Sequence, residues 1–165
     1  MADVVTVKLT PKQIFNVRDV AYKKALECEL HKMRNKRLPG NAYETALTGG
    51  YGEQALAIYL GVEWGFRPYD ITANDVAGYE VRATYHAKGR LLTHADDKNG
   101  LYVLAIVNRD DYTVNLMGWS NLKRCNTPGR WATDLPVPCY AMPQADLWPM
   151  EMLPATVLYQ SAINN

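Results

Sequence analysis

An almost continuous apolar run from Leu101 to Asn108 is the feature that most constrains the fold of this chain. Apolar character that does not alternate is typical of a buried strand at the centre of a sheet. A further strand is predicted at Tyr112–Trp119, and the corner at residues 109–111 predicts a tight hairpin between the two. Weaker alternation predicts strands at residues 71–76 and 79–86. The core is therefore expected to form around a sheet.

Two helical patterns precede these strands. Thr10 and Pro11 suit an N-cap and a first helical position, and apolar residues then recur at helical spacing. This pattern fades in the basic stretch before Pro39-Gly40. The second pattern spans Tyr43–Leu60 and ends at Gly61, a suitable C-cap. Glycines at positions 49, 50 and 52 predict a bend or a close backbone approach within it.

Length and composition indicate one soluble domain spanning residues 1–165. The chain is 48% hydrophobic and 21% charged, as in ordinary globular proteins. No apolar run approaches the roughly 20 residues that cross a bilayer, and the charged N-terminus does not suit a signal peptide. Three scattered cysteines do not make a disulfide framework. We therefore expect a cytoplasmic protein without a membrane partner.

The expected fold class is α/β (or α+β), with a mixed central sheet flanked by helices. Its core is placed at about residues 43–125, and a basic N-terminal helix at about residues 11–37. After a short helix near Asn121–Cys125, proline becomes frequent. Residues 126–165 are therefore expected to form an extended tail that wraps the sheet.

Asp75 and Glu80 stand on either side of a predicted two-residue turn, Ala77-Gly78. If Val76 pairs with Tyr79 across this turn, the two acidic residues lie opposite each other, with Cβ atoms about 5 Å apart. Opposed carboxylates repel unless a cation joins them, and a hard divalent cation suits oxygen ligands. The spacing therefore predicts a metal site at Asp75 and Glu80.

Strand alternation places Glu80, Arg82, Thr84 and His86 on one face, which suits either a catalytic surface or a solvent-facing one. Glu53 stands in an otherwise apolar part of the second helix, directly after the glycines. A glutamate is rarely buried without a partner. Glu53 is therefore expected either to point to solvent or to reach the sheet and hold a metal-bound water.

A helix glutamate, then an aspartate, then Glu-x-Lys on the next strand is the pattern of the PD-(D/E)XK nucleases, and this chain resembles that superfamily. The similarity covers roughly Tyr43–Trp119. It extends to small phage-encoded members in the segments Gly52-Glu53-Gln54-Ala55, Asp75–Thr84, Gly89-Arg90-Leu91-Leu92 and Gly118-Trp119. The resemblance implies a restriction-endonuclease-like core. It also implies that Asp75 and Glu80 bind Mg²⁺ or Mn²⁺, that Glu53 supports the metal shell, and that the chain hydrolyses DNA in the host cytoplasm.

The sequence departs from the family pattern at two positions. Asn74 precedes the aspartate where proline is common, and Arg82 stands where lysine is usual. Arginine stays protonated and cannot accept a proton, but it can orient water or steady charge on a phosphate. His86, Lys88 and Lys98 are candidates for the missing function. His86 is preferred because it shares the expected face, and imidazole is the side chain that most often serves as an acid or base in catalysis.

Positive charge is concentrated near the N-terminus. Residues 12–37 hold eight Lys or Arg against three Asp or Glu, in a chain whose net charge is +1. Such a segment could grip a phosphate backbone without reading sequence, or it could be a solvated helix face. The predicted nucleic-acid-binding residues are Lys23, Lys24, Lys32, Arg34, Lys36 and Arg37.

Two hypotheses follow, with a third from another class. The first is a Mg²⁺-dependent, phage-encoded deoxyribonuclease. The second is a catalytically degenerate protein of the same fold that binds nucleic acid or a protein partner, with Arg82 marking the loss of chemistry. The third is a phage structural or assembly protein, which would form a stable oligomer.

Overall fold

The computed structural model describes residues 3–30, 42–65 and 75–154. The predicted basic stretch before Pro39, most of the strand predicted at residues 71–76, and the end of the tail lie outside these ranges. The described helices and strands are, in chain order, β1 (Val5–Lys8), α1 (Pro11–Leu30), α2 (Ala42–Leu60), β2 (Glu80–Thr84), β3 (Leu91–Thr93), β4 (Leu101–Asn108), β5 (Thr113–Asn121), α3 (Leu122–Cys125), β6 (Trp131–Ala132) and β7 (Cys139–Met142).

The predicted start of α1 and the predicted end of α2 are both confirmed. Before α1, the Gln13 amide donates to the Thr10 hydroxyl, and the Thr10 amide donates to the Gln13 side chain, which forms a reciprocal capping box. After α2, Gly61 adopts a φ of 69°. Its N–H donates to the Ile58 carbonyl and that of Val62 to the Ala57 carbonyl, a Schellman arrangement. The predicted helix at Tyr43–Leu60 is confirmed.

The predicted central strand, Leu101–Asn108, is confirmed as β4. It lies inside a four-stranded sheet of order β1-β5-β4-β2, in which β2 runs parallel to β4 and the other pairs are antiparallel. The predicted hairpin turns at residues 109–112 into β5, with Tyr112 at a φ of 55°. β1 pairs with β5 and was not predicted, because four residues of mixed character give too short a pattern.

The two faces of β4 contact different layers. Val103, Ala105 and Val107 belong to the core beneath α1 and α2, whereas Tyr102, Leu104 and Ile106 pack on the opposite side with residues of β3, β7 and α3. A strand covered on both faces has no polar face, and this explains its continuous apolar run.

The chain after α3 differs from the extended tail that we expected. In the described residues it contributes β6 and β7, which join β3 in an antiparallel sheet of order β3-β7-β6. Residues 144–154 then return to the first sheet, where the backbones of Trp119 and Trp148 exchange two hydrogen bonds of 3.0 and 2.9 Å. The frequent prolines concealed these strands, which are two and four residues long.

The described residues thus form an α/β fold with a mixed central sheet, as predicted. None of the helices within these ranges is long and apolar enough to cross a membrane.

Candidate metal and catalytic site

The predicted turn at Ala77-Gly78 forms as expected. Val76 and Tyr79 make an antiparallel bridge with hydrogen bonds of 3.1 and 2.8 Å, and both turn residues have positive φ, 48° and 90°. Positive φ at both central positions defines a type I′ hairpin turn. The turn brings Asp75 back to the start of β2, where its Oδ2 accepts a hydrogen bond of 2.8 Å from the Val81 amide.

Glu80, the first residue of β2, is buried, with 7% of its surface exposed. Burial raises the pKa of Glu80, and the nearby Asp75 charge raises it further, while Lys98 and Arg82 oppose the shift. The Lys98 ammonium lies 2.9 Å from Glu80 Oε1. The two opposed acids therefore interact electrostatically, and a lysine partly balances their charge.

Glu53 reaches the same group from the helix side. Gly52 lets α2 approach the sheet, since a Cβ there would lie 2.9 Å from the Ala83 Cβ. Glu53 is buried, and its Oε2 accepts from Trp64 Nε1 at 2.8 Å and from Lys24 Nζ at 3.4 Å. Burial first, and then the Asp75 charge, raise the pKa of Glu53. Of the two orientations that the sequence left open for Glu53, the structure shows the inward one.

The arrangement centres on Asp75. The predicted alternation of β2 is confirmed, with Val81 and Ala83 against the helix-side core and Glu80 beside Tyr102 on the other face. Glu53 and Glu80 therefore approach from opposite faces of the sheet, while the charge of Asp75 acts on both. This separation accords with a further finding. Within the described ranges, no three His, Cys, Asp or Glu side chains come close enough together to hold a metal ion.

Two carboxylates nevertheless fit magnesium. This ion commonly keeps several waters and takes one or two protein carboxylates together with substrate phosphate oxygens. Asp75 and Glu80 supply the hard oxygen donors, and their mutual repulsion is the condition that a divalent cation relieves.

Arg82 lies on the Glu80 face of β2, as expected, whereas His86 lies beyond the end of the strand. Arg82 Nη2 lies 3.1 Å from Asp97 Oδ2, and the guanidinium stacks over the Tyr102 ring. β2 covers about 13 Å from Glu80 to Thr84, and His86 lies exposed two residues further on. The structure does not bring His86 to the carboxylates.

Lys98, another candidate for the missing function, does contact a carboxylate, that of Glu80. It was a candidate, but nothing in the local pattern ranked it first, because the contact joins a loop to a distant strand. Tyr102 and Trp64 escaped the sequence analysis as members of this site, whereas the acids of the turn that holds Asp97 could have joined it, although a loop role was favoured. The position of Asp97-Lys98 in a turn directly before the central strand was the available signal.

The predicted nucleic-acid-binding residues are described only in part. Lys23 pairs with Asp19 at 2.8 Å on the surface of α1, and Lys24 pairs with Glu53. Lys32, Arg34, Lys36 and Arg37 lie outside the described residues.

Comparison with known protein families, curated proteins and solved structures gave no match.

Proposed function

We propose that this chain is a Mg²⁺- or Mn²⁺-dependent nuclease that hydrolyses DNA phosphodiester bonds, on a restriction-endonuclease-like core of the small phage-encoded type. One observation carries the proposal. Asp75 and Glu80 meet across a two-residue turn at the start of β2, and a lysine ammonium lies 2.9 Å from Glu80. Two carboxylates and one ammonium are the groups that the PD-(D/E)XK pattern requires.

Asp75 and Glu80 would hold the metal. When bound, the metal would polarise the scissile phosphate and lower the pKa of a water ligand. Glu53 would act less directly, because its Oε2 is engaged by Trp64 and Lys24. Its negative charge would still favour a cation near Asp75.

Lys98 would perform the task that the pattern gives to lysine, in place of Arg82. Its ammonium can orient the attacking water and transfer a proton, whereas a guanidinium remains protonated. Its side chain is about one-third exposed and so is open to solvent and to a substrate.

DNA is proposed as the substrate on the resemblance together with the N-terminal charge. Lys23 is an exposed cation on α1. Its ion pair with Asp19 lies on the surface, where such pairs contribute little to stability and are easily replaced by other partners. A phosphate could therefore compete for it.

A second candidate is a catalytically degenerate protein that binds nucleic acid or a protein partner. The observation that favours it is that both buried glutamates are already paired with lysines, Glu53 with Lys24 and Glu80 with Lys98. Charge that is balanced in this way does not require a metal ion.

Cleavage of supercoiled, linear and single-stranded DNA with Mg²⁺, Mn²⁺ or EDTA tests the proposal. We expect metal-dependent cutting that Glu80→Gln abolishes and Lys98→Met reduces to a low but measurable rate, and that the exposed-site controls Glu151→Gln and Lys123→Met preserve. Gel-shift binding is measured on the same samples. A folded wild-type protein that binds DNA without cutting it under any metal would support the second candidate and reject the first.

A further inference from the structure

The loop that joins β3 to β4 is fixed to β2 by one buried carboxylate. The Asp97 side chain is only 5% exposed, and its Oδ2 lies 3.1 Å from Arg82 Nη2. The same oxygen accepts a hydrogen bond of 2.9 Å from the His94 amide and so closes the loop on itself. A buried carboxylate needs such partners, since an unpaired charge there would be costly.

A second contact acts on the next residue. The Tyr102 hydroxyl donates to the Lys98 carbonyl at 2.7 Å, and the Arg82 guanidinium lies 5.0 Å from the centre of the Tyr102 ring. Tyr102 is itself the register partner of Glu80 on β4. Arg82, Asp97 and Tyr102, here termed the Arg82 cluster, therefore hold the backbone on both sides of the Lys98 side chain.

The Arg82 cluster completes a circuit of contacts. It begins at Arg82 on β2, passes through Asp97 to Lys98, and returns through the Lys98 ammonium to Glu80 on the same strand and face. A lysine side chain has four rotatable bonds, so its ammonium keeps one position only if its backbone is held. Catalytic groups that are misplaced by about 1 Å can lose roughly a hundredfold in rate.

We propose that Arg82 is a positioning residue: through Asp97 and Tyr102 it holds the β3–β4 loop so that the Lys98 ammonium stands against Glu80. The consequence for cleavage rests on the proposed nuclease function, whereas the geometric claim does not. Arg82 stands at the position where the family pattern has lysine. In this proposal it positions Lys98, which takes over the task of that lysine, and it is not a remnant of lost chemistry.

A double-mutant cycle tests how Arg82 acts on the reaction. In the full chain, Arg82→Ala, Asp97→Asn and Tyr102→Phe should each lower kcat, Arg82→Ala by about a hundredfold, with little change in KM. In a Lys98→Met background, Arg82→Ala should lower kcat no further. In the wild-type background, Arg82→Lys should keep part of the rate that Arg82→Ala loses. An equal loss from Arg82→Ala in both backgrounds would show that Arg82 acts on its own, and would overturn the proposal.

A second readout does not depend on cleavage. Acetylation of surface amines by an amine-reactive ester, followed by peptide mass spectrometry, reports how freely Lys98 moves, with Lys123 as the internal reference. Lys98 should react several-fold faster in Arg82→Ala and Asp97→Asn than in wild type, at unchanged Lys123 rates and in proteins that still unfold cooperatively. If Lys98 reacts equally in all of them, the proposal fails. If Lys98 reacts faster in the two variants but the wild-type protein cuts no DNA, the positioning role is retained and the nuclease is rejected.

Discussion

Gly52 of α2 and Ala83 of β2 are in such close contact that a Cβ built on Gly52 would lie 2.9 Å from the Ala83 Cβ. The same Cβ would lie 3.0 and 3.1 Å from side-chain atoms of Val81 and Ala105. This contact sets the distance between the helix and the sheet, and with it the approach of Glu53 to the group around Asp75.

Gly52→Ala is therefore expected to destabilise the fold. Overpacking costs about 1–3 kcal/mol, and only about 1 kcal/mol is returned by the better helix propensity of alanine. Gly49→Ala is the matched control in the same helix, because its Cβ would meet only Glu53 Oε1 at an ordinary 3.7 Å. In urea unfolding, the free energy of unfolding of Gly52→Ala should be lower than that of Gly49→Ala by at least about 1 kcal/mol. Equal stabilities would contradict the close approach.

Ala77 adopts a φ of 48°, which an L-residue other than glycine or asparagine adopts at a cost of roughly 1–2 kcal/mol. Because its side chain is exposed, Ala77→Asn should raise the free energy of unfolding by up to about 1 kcal/mol, through the Asn-Gly preference of this turn type. Gly78→Ala, at a φ of 90°, should lower it. Thermal unfolding of the two variants checks the prediction. Melting temperatures that shift in the same direction in both variants would refute the turn assignment.

Asp75→Asn should lower the pKa of both Glu53 and Glu80, because the Asp75 charge raises each of them. The carboxamide oxygen can still accept the Val81 amide hydrogen bond, so the turn should persist. NMR titration of the carboxyl carbons measures both groups in one experiment. Asp19→Asn, on the exposed surface of α1, is the control and should move neither group. A shift in only one glutamate would mean that Asp75 does not lie between them.

Glu53→Gln should stabilise the protein increasingly as pH rises. Burial raises the pKa of Glu53 above its unfolded value of about 4.3, so the folded state holds the proton longer than the unfolded chain. In wild type, the free energy of unfolding therefore decreases as pH rises from the unfolded pKa through the folded one. Glu53→Gln does not lose stability in this way. Its free energy of unfolding should therefore exceed that of wild type only slightly below about pH 4 and by more at neutral pH. Urea unfolding across this range measures it, and the exposed Glu151→Gln reports the general effect of removing one charge. An advantage that shrinks with rising pH would rule the mechanism out.

The sequence by itself determined those features that are encoded locally. The N-cap at Thr10, the C-cap at Gly61 and the turn at Ala77-Gly78 each depend on a few neighbouring residues. The apolar run of β4 likewise indicates that this strand is buried. Alternation along β2 correctly assigned Glu80 and Arg82 to one face. Backbone sterics and hydrophobic periodicity act within a few residues, so they can be read from the chain without its partners.

The tertiary structure alone decided which groups share that face. Alternation places Arg82 on the same face as Glu80. It cannot show that the Arg82 guanidinium pairs with Asp97, or that the Lys98 ammonium contacts the Glu80 carboxylate. β7 also escaped prediction, because its pairing with β3 joins segments that are far apart in sequence. Such contacts depend on how the layers pack and on which buried charges must find partners. Those requirements are met by the fold as a whole, and no local pattern records them.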